Sequence, residues 1–166
     1  MSYHGFSRVT VAVDGSPAGD HALEAAVDLV KHYDGELSVL SVAPLVPLYV
    51  PGTEPFIPTE IPDSEIQYYR DLVNSAVAKA ESAGVSKVTG VALEGVIVDE
   101  IIAHLEQHPP DLLVLGSRGL SSAKRLLLGS VSDAVVHHAK CPVLIVRDAP
   151  EAPDPKAASP SGPKQG

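Results

Sequence analysis

A chain of 166 residues with a formal net charge of -9 and a single cysteine can form one domain with a full core, because a domain near 150 residues buries roughly 70% of its unfolded-chain surface. The lone Cys141 excludes an internal disulfide and a cysteine-based zinc cluster, and the negative charge opposes a nucleic-acid partner, whose phosphates it would repel. No apolar run approaches the roughly 20 residues of a membrane span, and Met1-Ser2-Tyr3-His4-Gly5 lacks the basic and apolar parts of a signal peptide, so the expectation is a cytoplasmic protein with no membrane partner.

Val9-Thr10-Val11-Ala12-Val13 is apolar and β-branched at nearly every position, as suits a strand buried on both faces. It ends at Asp14-Gly15-Ser16-Pro17, where Ser16 as N-cap and Pro17 at the first helical position start a helix. Ala22, Leu23, Ala25, Ala26, Leu29 and Val30 give that helix its apolar face, and it stops near Asp34-Gly35. Glu36 to Val42 reads as a second strand.

Pro44 to Asp63 differs in kind. Prolines at 44, 47, 51, 55, 58 and 62 exclude regular helix and a central strand, yet the segment also carries Leu45, Val46, Leu48, Tyr49, Val50, Phe56 and Ile57. It is expected either to act as a flap over a ligand or a partner subunit or to patch the edge of the core. Asp63 or Ser64 then caps a helix to about Ala83, with Ser64 and Gln67 in capping-box spacing and Ile66, Tyr69, Leu72, Val73, Ala76, Val77 and Ala80 at helical spacing. Gly84 ends it, Lys87 to Leu93 forms a third strand, and Val96 to Gln107 a third helix before His108-Pro109-Pro110-Asp111.

Leu112-Leu113-Val114-Leu115 is the fourth strand and stops at Gly116-Ser117-Arg118-Gly119; Gly129-Ser130-Val131-Ser132 opens a helix to Ala139, and Cys141 to Val146 is the fifth strand. Strands alternating with helices predict an α/β fold, an open five-stranded parallel sheet with helices on both faces. From Asp148 onward Pro, Ala, Ser, Gly and Lys replace the aliphatics, so residues 1–147 are expected to form the domain and 148–166 a disordered tail.

Two strand ends carry ligand-type chemistry, Asp14-Gly15-Ser16 and the loop from Gly116 onward. In an open α/β sheet a ligand binds beyond the carboxyl ends of the strands where their order reverses, so one crevice holds both if these strands are neighbours. Glycines there admit positive φ and let backbone N–H groups approach a ligand, and Ser130 as N-cap would place a helix start beside a phosphate. The helix dipole adds about 0.3–1 kcal/mol against the roughly 8 kcal/mol of micromolar binding, so hydrogen bonds and base burial must supply the rest. Neither GxxxxGK[ST] nor GxGxxG after the first strand occurs, which excludes a Walker loop and speaks against a nicotinamide or flavin site. Arg118, Lys124 and Arg125 are candidate cations, His137 and His138 lack a partner at metal spacing, and Cys141 reads as a small hydrophobe.

The pattern Gly116-x2-Gly119-x9-Gly129-Ser130, the opening Val-Ala-Val-Asp-Gly-Ser and the closing Cys-Pro-Val-Leu-Ile-Val-Arg resemble the universal stress protein family in its ATP-binding branch, over roughly Arg8 to Arg147. The resemblance implies a Rossmann-like, adenine nucleotide alpha hydrolase-like sheet of order 3-2-1-4-5. It places Asp14 and Val42 at the adenine and ribose end, and Gly116, Gly119, Gly129, Ser130, Val131 and Ser132 around ribose and phosphates. It also implies a homodimer through the last strand, Pro142 to Val146. The chain departs from the family pattern at Glu94-Gly95-Val96-Ile97, which is more apolar, and in the length of the Pro-rich segment.

The function expected is a nucleotide-responsive regulatory module in stress response, binding ATP or AMP or ADP, with Asp14, Gly15, Ser16, Val42 and Arg118 joining the glycine loop in the site. Mg is a candidate companion, and no metal-ligand set is assigned. Two alternatives stand beside it: a slow ATP hydrolase or phosphotransferase, and a structural dimer without nucleotide. No general base is evident beside the cradle, so turnover is expected to be weak at most.

Overall fold

The continuous apolar run of the first strand requires cover on both sides, and the molecule supplies it. In the computed structural model, which describes residues 5–45, 51–52, 54, 60–119 and 128–147, the chain runs β1 (Arg8–Ala12), α1 (Pro17–Tyr33), β2 (Glu36–Pro44), α2 (Asp63–Ser82), β3 (Val88–Gly95), α3 (Ile97–Gln107), β4 (Leu112–Gly116), α4 (Ser130–His138) and β5 (Val143–Val146). Most of the Pro-rich segment, Lys124, Arg125 and the tail 148–166 lie outside the described residues.

The strands form one parallel sheet in the order β3-β2-β1-β4-β5. Because side chains alternate along a strand, each central strand feeds two cores. Val9, Val11, Leu37, Val39, Leu112 and Val114 pack with Val27 and Val30 of α1 and with Val73 and Ala76 of α2. Leu40, Val42, Leu113 and Leu115 pack with Ile101 and Leu105 of α3 and Val135 of α4 on the opposite face. Two helices therefore cover each face.

β1 and β4 pair directly, Val9 beside Leu112 through Ala12 beside Leu115. At their amino ends the Asp111 carboxylate accepts from the Arg8 backbone N–H at 2.9 Å and from its guanidinium at 2.8 Å, while the Asp111 N–H donates to the Arg8 carbonyl at 2.8 Å. The Arg8 hydrogen bond holds the Asp111 carboxyl below its usual range. An exposed ion pair is worth little by itself, but these three contacts fix the register in which the two strands enter the sheet.

Local chemistry differs from the sequence expectation at the start of α2, whereas α1 stops where the sequence places its end. α2 begins on Pro62, whose carbonyl accepts from Glu65 and Ile66, with no side-chain cap, and Gln67 donates instead to Asp71 at 2.8 Å. The ring presets φ at -57°, which starts the helix one residue early and carries Ser64 into the first turn, away from the capping position. α1 closes on Asp34 in the left-handed region, φ 50°, where a glycine would be usual. The adjacent Gly35 serves packing: a Cβ there would stand 2.5 Å from the Ser7 carbonyl oxygen, at the point where Glu36 N–H reaches that same oxygen at 2.7 Å.

Gly35→Ala should therefore lower stability by about 1–3 kcal/mol, since the overlap outweighs the roughly 0.4–1 kcal/mol gained by stiffening the unfolded chain. Urea unfolding monitored by circular dichroism reads the change, and an unchanged midpoint would contradict the packing role.

Candidate functional site

The chain leaves β1 toward α1 on one face of the sheet and leaves β4 toward α4 on the other. A crevice must open between two such neighbours at their carboxyl ends. It is present as a cavity of about 230 Å³. Asp14, Val42, Gly116, Arg118, Gly119, Gly129, Ser130, Val131 and Ser132 all line it, so the structure gathers nine of the residues singled out in the sequence. Gly15 and Ser16 stand beside it, outside the lining.

Asp14 organises one wall. Its Oδ1 accepts from the Ser16 backbone N–H at 3.0 Å and from the Ser16 hydroxyl, which in turn accepts from Gly19 N–H at 3.1 Å and so caps α1. Gly19 and Gly119 flank the carboxylate: a Cβ on Gly19 would lie 2.9 Å from Oδ1, and one on Gly119 would lie 2.6 Å from Oδ2. Gly15 takes φ 81° at the turn, beneath the Tyr68 hydroxyl.

Of the two uses the sequence suggests for these glycines, a positive φ and the absence of a Cβ, the structure employs the second at Gly116 and Gly119. Gly129 has φ -65°, and neither Gly116 nor Gly119 has a positive φ. At Gly116 and Gly119 the requirement is room. A Cβ on Gly116 would stand 2.7 Å from the backbone carbon and 2.8 Å from the oxygen of Ala18, so this glycine lets the end of β4 press against the first turn of α1.

On the other wall Gly129, and not Ser130, is the N-cap of α4, with no side-chain cap bond; Ser130 is an exposed first-turn residue. The extended backbone of Gly129 already donates its N–H to the Ser117 carbonyl at 2.8 Å, which places the helix start one residue earlier. The buried Ser132 donates its hydroxyl to the Gly116 carbonyl at 2.7 Å and ties α4 to the end of β4. Its proton is thus committed to the backbone, and its oxygen retains lone pairs toward the crevice.

The remaining lining was missed in the sequence. Ser41 donates to the Val13 carbonyl at 2.6 Å, bracing β2 against the end of β1. Ile97 and Ile101, one turn apart on α3, add aliphatic surface, and this accounts for the apolar character of the turn after β3. Tyr69 enters from α2; burial first, then the charges of Glu65, Tyr68 and Asp14, hold its phenol above the ordinary range, so it is a neutral hydroxyl at physiological pH. Helical spacing marked Tyr69 as core, and only its height along α2 separates a core position from a crevice one.

His137 and His138 are exposed, their Nδ1 atoms facing the Asp133 and Ala134 carbonyls, and no group of three metal-ligand side chains occurs among the described residues. Cys141 is half-buried against the α3–α4 core, and burial raises its thiol pKa. A wider hollow at the opposite end of the sheet, near Glu106 and Lys140, contains none of the predicted site residues. No described helix is long and apolar enough to cross a membrane.

Comparison with known proteins extends this picture. The model of the universal stress protein family matches residues 5–147. A universal stress protein of Bacillus subtilis, YxiE, is 38% identical over 157 residues, covering 86% of this chain and 99% of its own. Among solved structures, a universal stress protein UspA from Lactobacillus plantarum superposes with a TM-score of 0.73 at 24% identity, covering 86% of this chain and 99% of its own. A universal stress protein in complex with cAMP superposes with a TM-score of 0.64 at 26% identity, covering 86% of this chain and 98% of its own. With its sheet order, its crevice between β1 and β4 and a family match across nearly all described residues, the chain belongs to the universal stress protein family.

Proposed function

We propose that the crevice binds an adenine nucleotide, ATP or its mono- or diphosphate, and that the protein is a nucleotide-responsive regulatory module of stress response. The observation that carries this reading is the convergence of Asp14, the Gly116–Gly119 turn and the start of α4 on one crevice at the β1–β4 reversal. Val42, Ile97 and Ile101 offer apolar surface for a base, Asp14 an acceptor for sugar hydroxyls, and Gly129, Ser130 and Ser132 a helix start suited to phosphate, with Arg118 alongside. The complex of a relative with cAMP supports an adenine ligand. Mg, if it accompanies the nucleotide, is expected to be held chiefly by the phosphates.

Holding nucleotide fits this site better than consuming it. Asp14 is the carboxylate among the described lining residues, and its Oδ1 is engaged by two donors from Ser16. We place the protein in the cytoplasm, a setting suited to a single half-buried thiol, and its charge of -9 opposes a nucleic-acid partner.

We further propose a homodimer through β5. This strand is at an edge of the sheet, with Leu144 37% exposed and Val143, Ile145 and Val146 half-buried. Apolar strand edges are ordinarily covered.

Denaturing mass spectrometry of freshly purified protein should release an adenine nucleotide, and Gly129→Leu should lower affinity at least tenfold, about 1.4 kcal/mol, with an unchanged circular dichroism spectrum. Unchanged affinity in that variant would sink the cradle assignment. Phosphate release from ATP should stay below about 1 per second, the low end of enzymatic turnover; faster release that Gly119→Val abolishes would establish a hydrolase instead. Light scattering at micromolar concentration should give a dimer, and Leu144→Lys a folded monomer. A monomeric parent protein would refute the β5 interface.

A further inference from the structure

The buried stripe of α2 passes through Ala80, Ala76 and Val73. One turn nearer the amino end, the same stripe reaches Tyr69. Because α2 begins near the carboxyl end of β2, that last position lies where the sheet ends and the crevice begins, and Tyr69 lines the cavity there. It is the aromatic side chain among the described lining residues.

Its neighbour goes elsewhere. The Tyr68 ring stands perpendicular to that of Tyr69, with centroids 5.1 Å apart, and is 51% exposed. Its hydroxyl lies over the outside of the turn, 2.8 Å from where a Gly15 Cβ would be. Consecutive tyrosines thus diverge, Tyr68 lying exposed over the Asp14–Gly15 turn and Tyr69 lining the crevice. Packing of Val73 and Ala76 sets the rotation of α2, and Arg70 lies 3.6 Å from Glu94 of β3 at the surface.

The aliphatic lining comes from the other side. Val42, Ile97 and Ile101 belong to the core under α3 and α4, whereas α2 lies on the α1 face. The cavity therefore draws aliphatic side chains from one face of the sheet and a tyrosine from a helix on the other, a lining suited to a flat heteroaromatic ring.

We infer that Tyr69 is the closing aromatic wall of the crevice, in contact with the base of the bound nucleotide, and selects a ligand carrying a flat heteroaromatic end over a bare polyphosphate or sugar phosphate. The inference rests on the nucleotide reading above. A base–aromatic contact is sequence-tolerant by nature, so the specificity from Tyr69 is for a base as such, with polar groups elsewhere distinguishing one base from another.

Calorimetric titration of the full chain with ATP, AMP and tripolyphosphate tests it. Tyr69→Ala and Tyr69→Leu should weaken ATP and AMP by the same factor, about tenfold, and leave tripolyphosphate unchanged, while Tyr68→Ala binds both nucleotides within twofold of the parent. The leucine variant keeps an apolar side chain without the ring at a half-buried position, so circular dichroism should show it folded. An independent readout exists because the chain has five tyrosines and no tryptophan: saturating AMP, corrected for its absorbance, should change tyrosine emission in the parent and in Tyr68→Phe but not in Tyr69→Leu. Parent-like affinity and emission response in Tyr69→Leu would overturn the inference while leaving nucleotide binding intact. A parent protein that binds neither ATP nor AMP would instead overturn the nucleotide reading, and this inference with it.

Discussion

The carboxylate of Asp14 sits between two glycines, Gly19 of α1 and Gly119 of the loop after β4, with space for a Cβ on neither. Much of the carboxyl edge of the sheet follows from that contact. Ser16 can cap α1 and hold Asp14 at once because its oxygen accepts from Gly19 while its proton goes to Oδ1. With Asp14 so held, the β4 loop can approach only where it has no side chain, at Gly119, and the end of β4 itself can meet Ala18 only as Gly116. One side chain at a strand tip thereby determines how closely two neighbouring loops approach and how wide the crevice between them is.

The second wall is tied to the first through the backbone. Ser132 donates to the Gly116 carbonyl, Gly129 N–H donates to Ser117, and Ser117 N–H reaches Val146 at 2.7 Å. These bonds connect the start of α4 and the end of β5 to the same loop. In the proposed function a ligand touching the α4 amino end would bear on a loop that also touches the proposed dimer strand, so occupancy of the crevice and the geometry of the sheet edge share one set of hydrogen bonds. Coupling between them would require a bistable element that both sites bias; the hydrogen bonds of this loop supply the connection alone.

Tyr69 and Ile97 show how crevice residues can occupy positions that look structural. Each lies on a helical apolar stripe that is otherwise core. At the end of the helix nearest the strand tips, the same stripe that packs on the sheet elsewhere projects past it. The aliphatic and aromatic lining of the crevice is thus the unburied end of two ordinary cores, and the unusually apolar turn after β3 is part of it.

Period and punctuation in the sequence determined the nine elements of the described residues, the parallel sheet and the gathering of glycines and Asp14 at strand ends, because a strand buried on both faces must be apolar throughout and a helix on a sheet repeats its apolar positions at helical spacing. The resemblance in glycine spacing anticipated the strand order. What only the tertiary structure decided were contacts between residues far apart in the chain: Gly116 against Ala18, Gly119 against Asp14, Gly35 against Ser7. A glycine in the sequence looks the same whether it supplies a positive φ or an absent Cβ, and here Gly116 and Gly119 proved to be the second kind. Nor does helical spacing say where along a helix the sheet beneath it ends, so Tyr69 became a crevice residue, and Gly129 displaced Ser130 as the cap, only once the chain was folded.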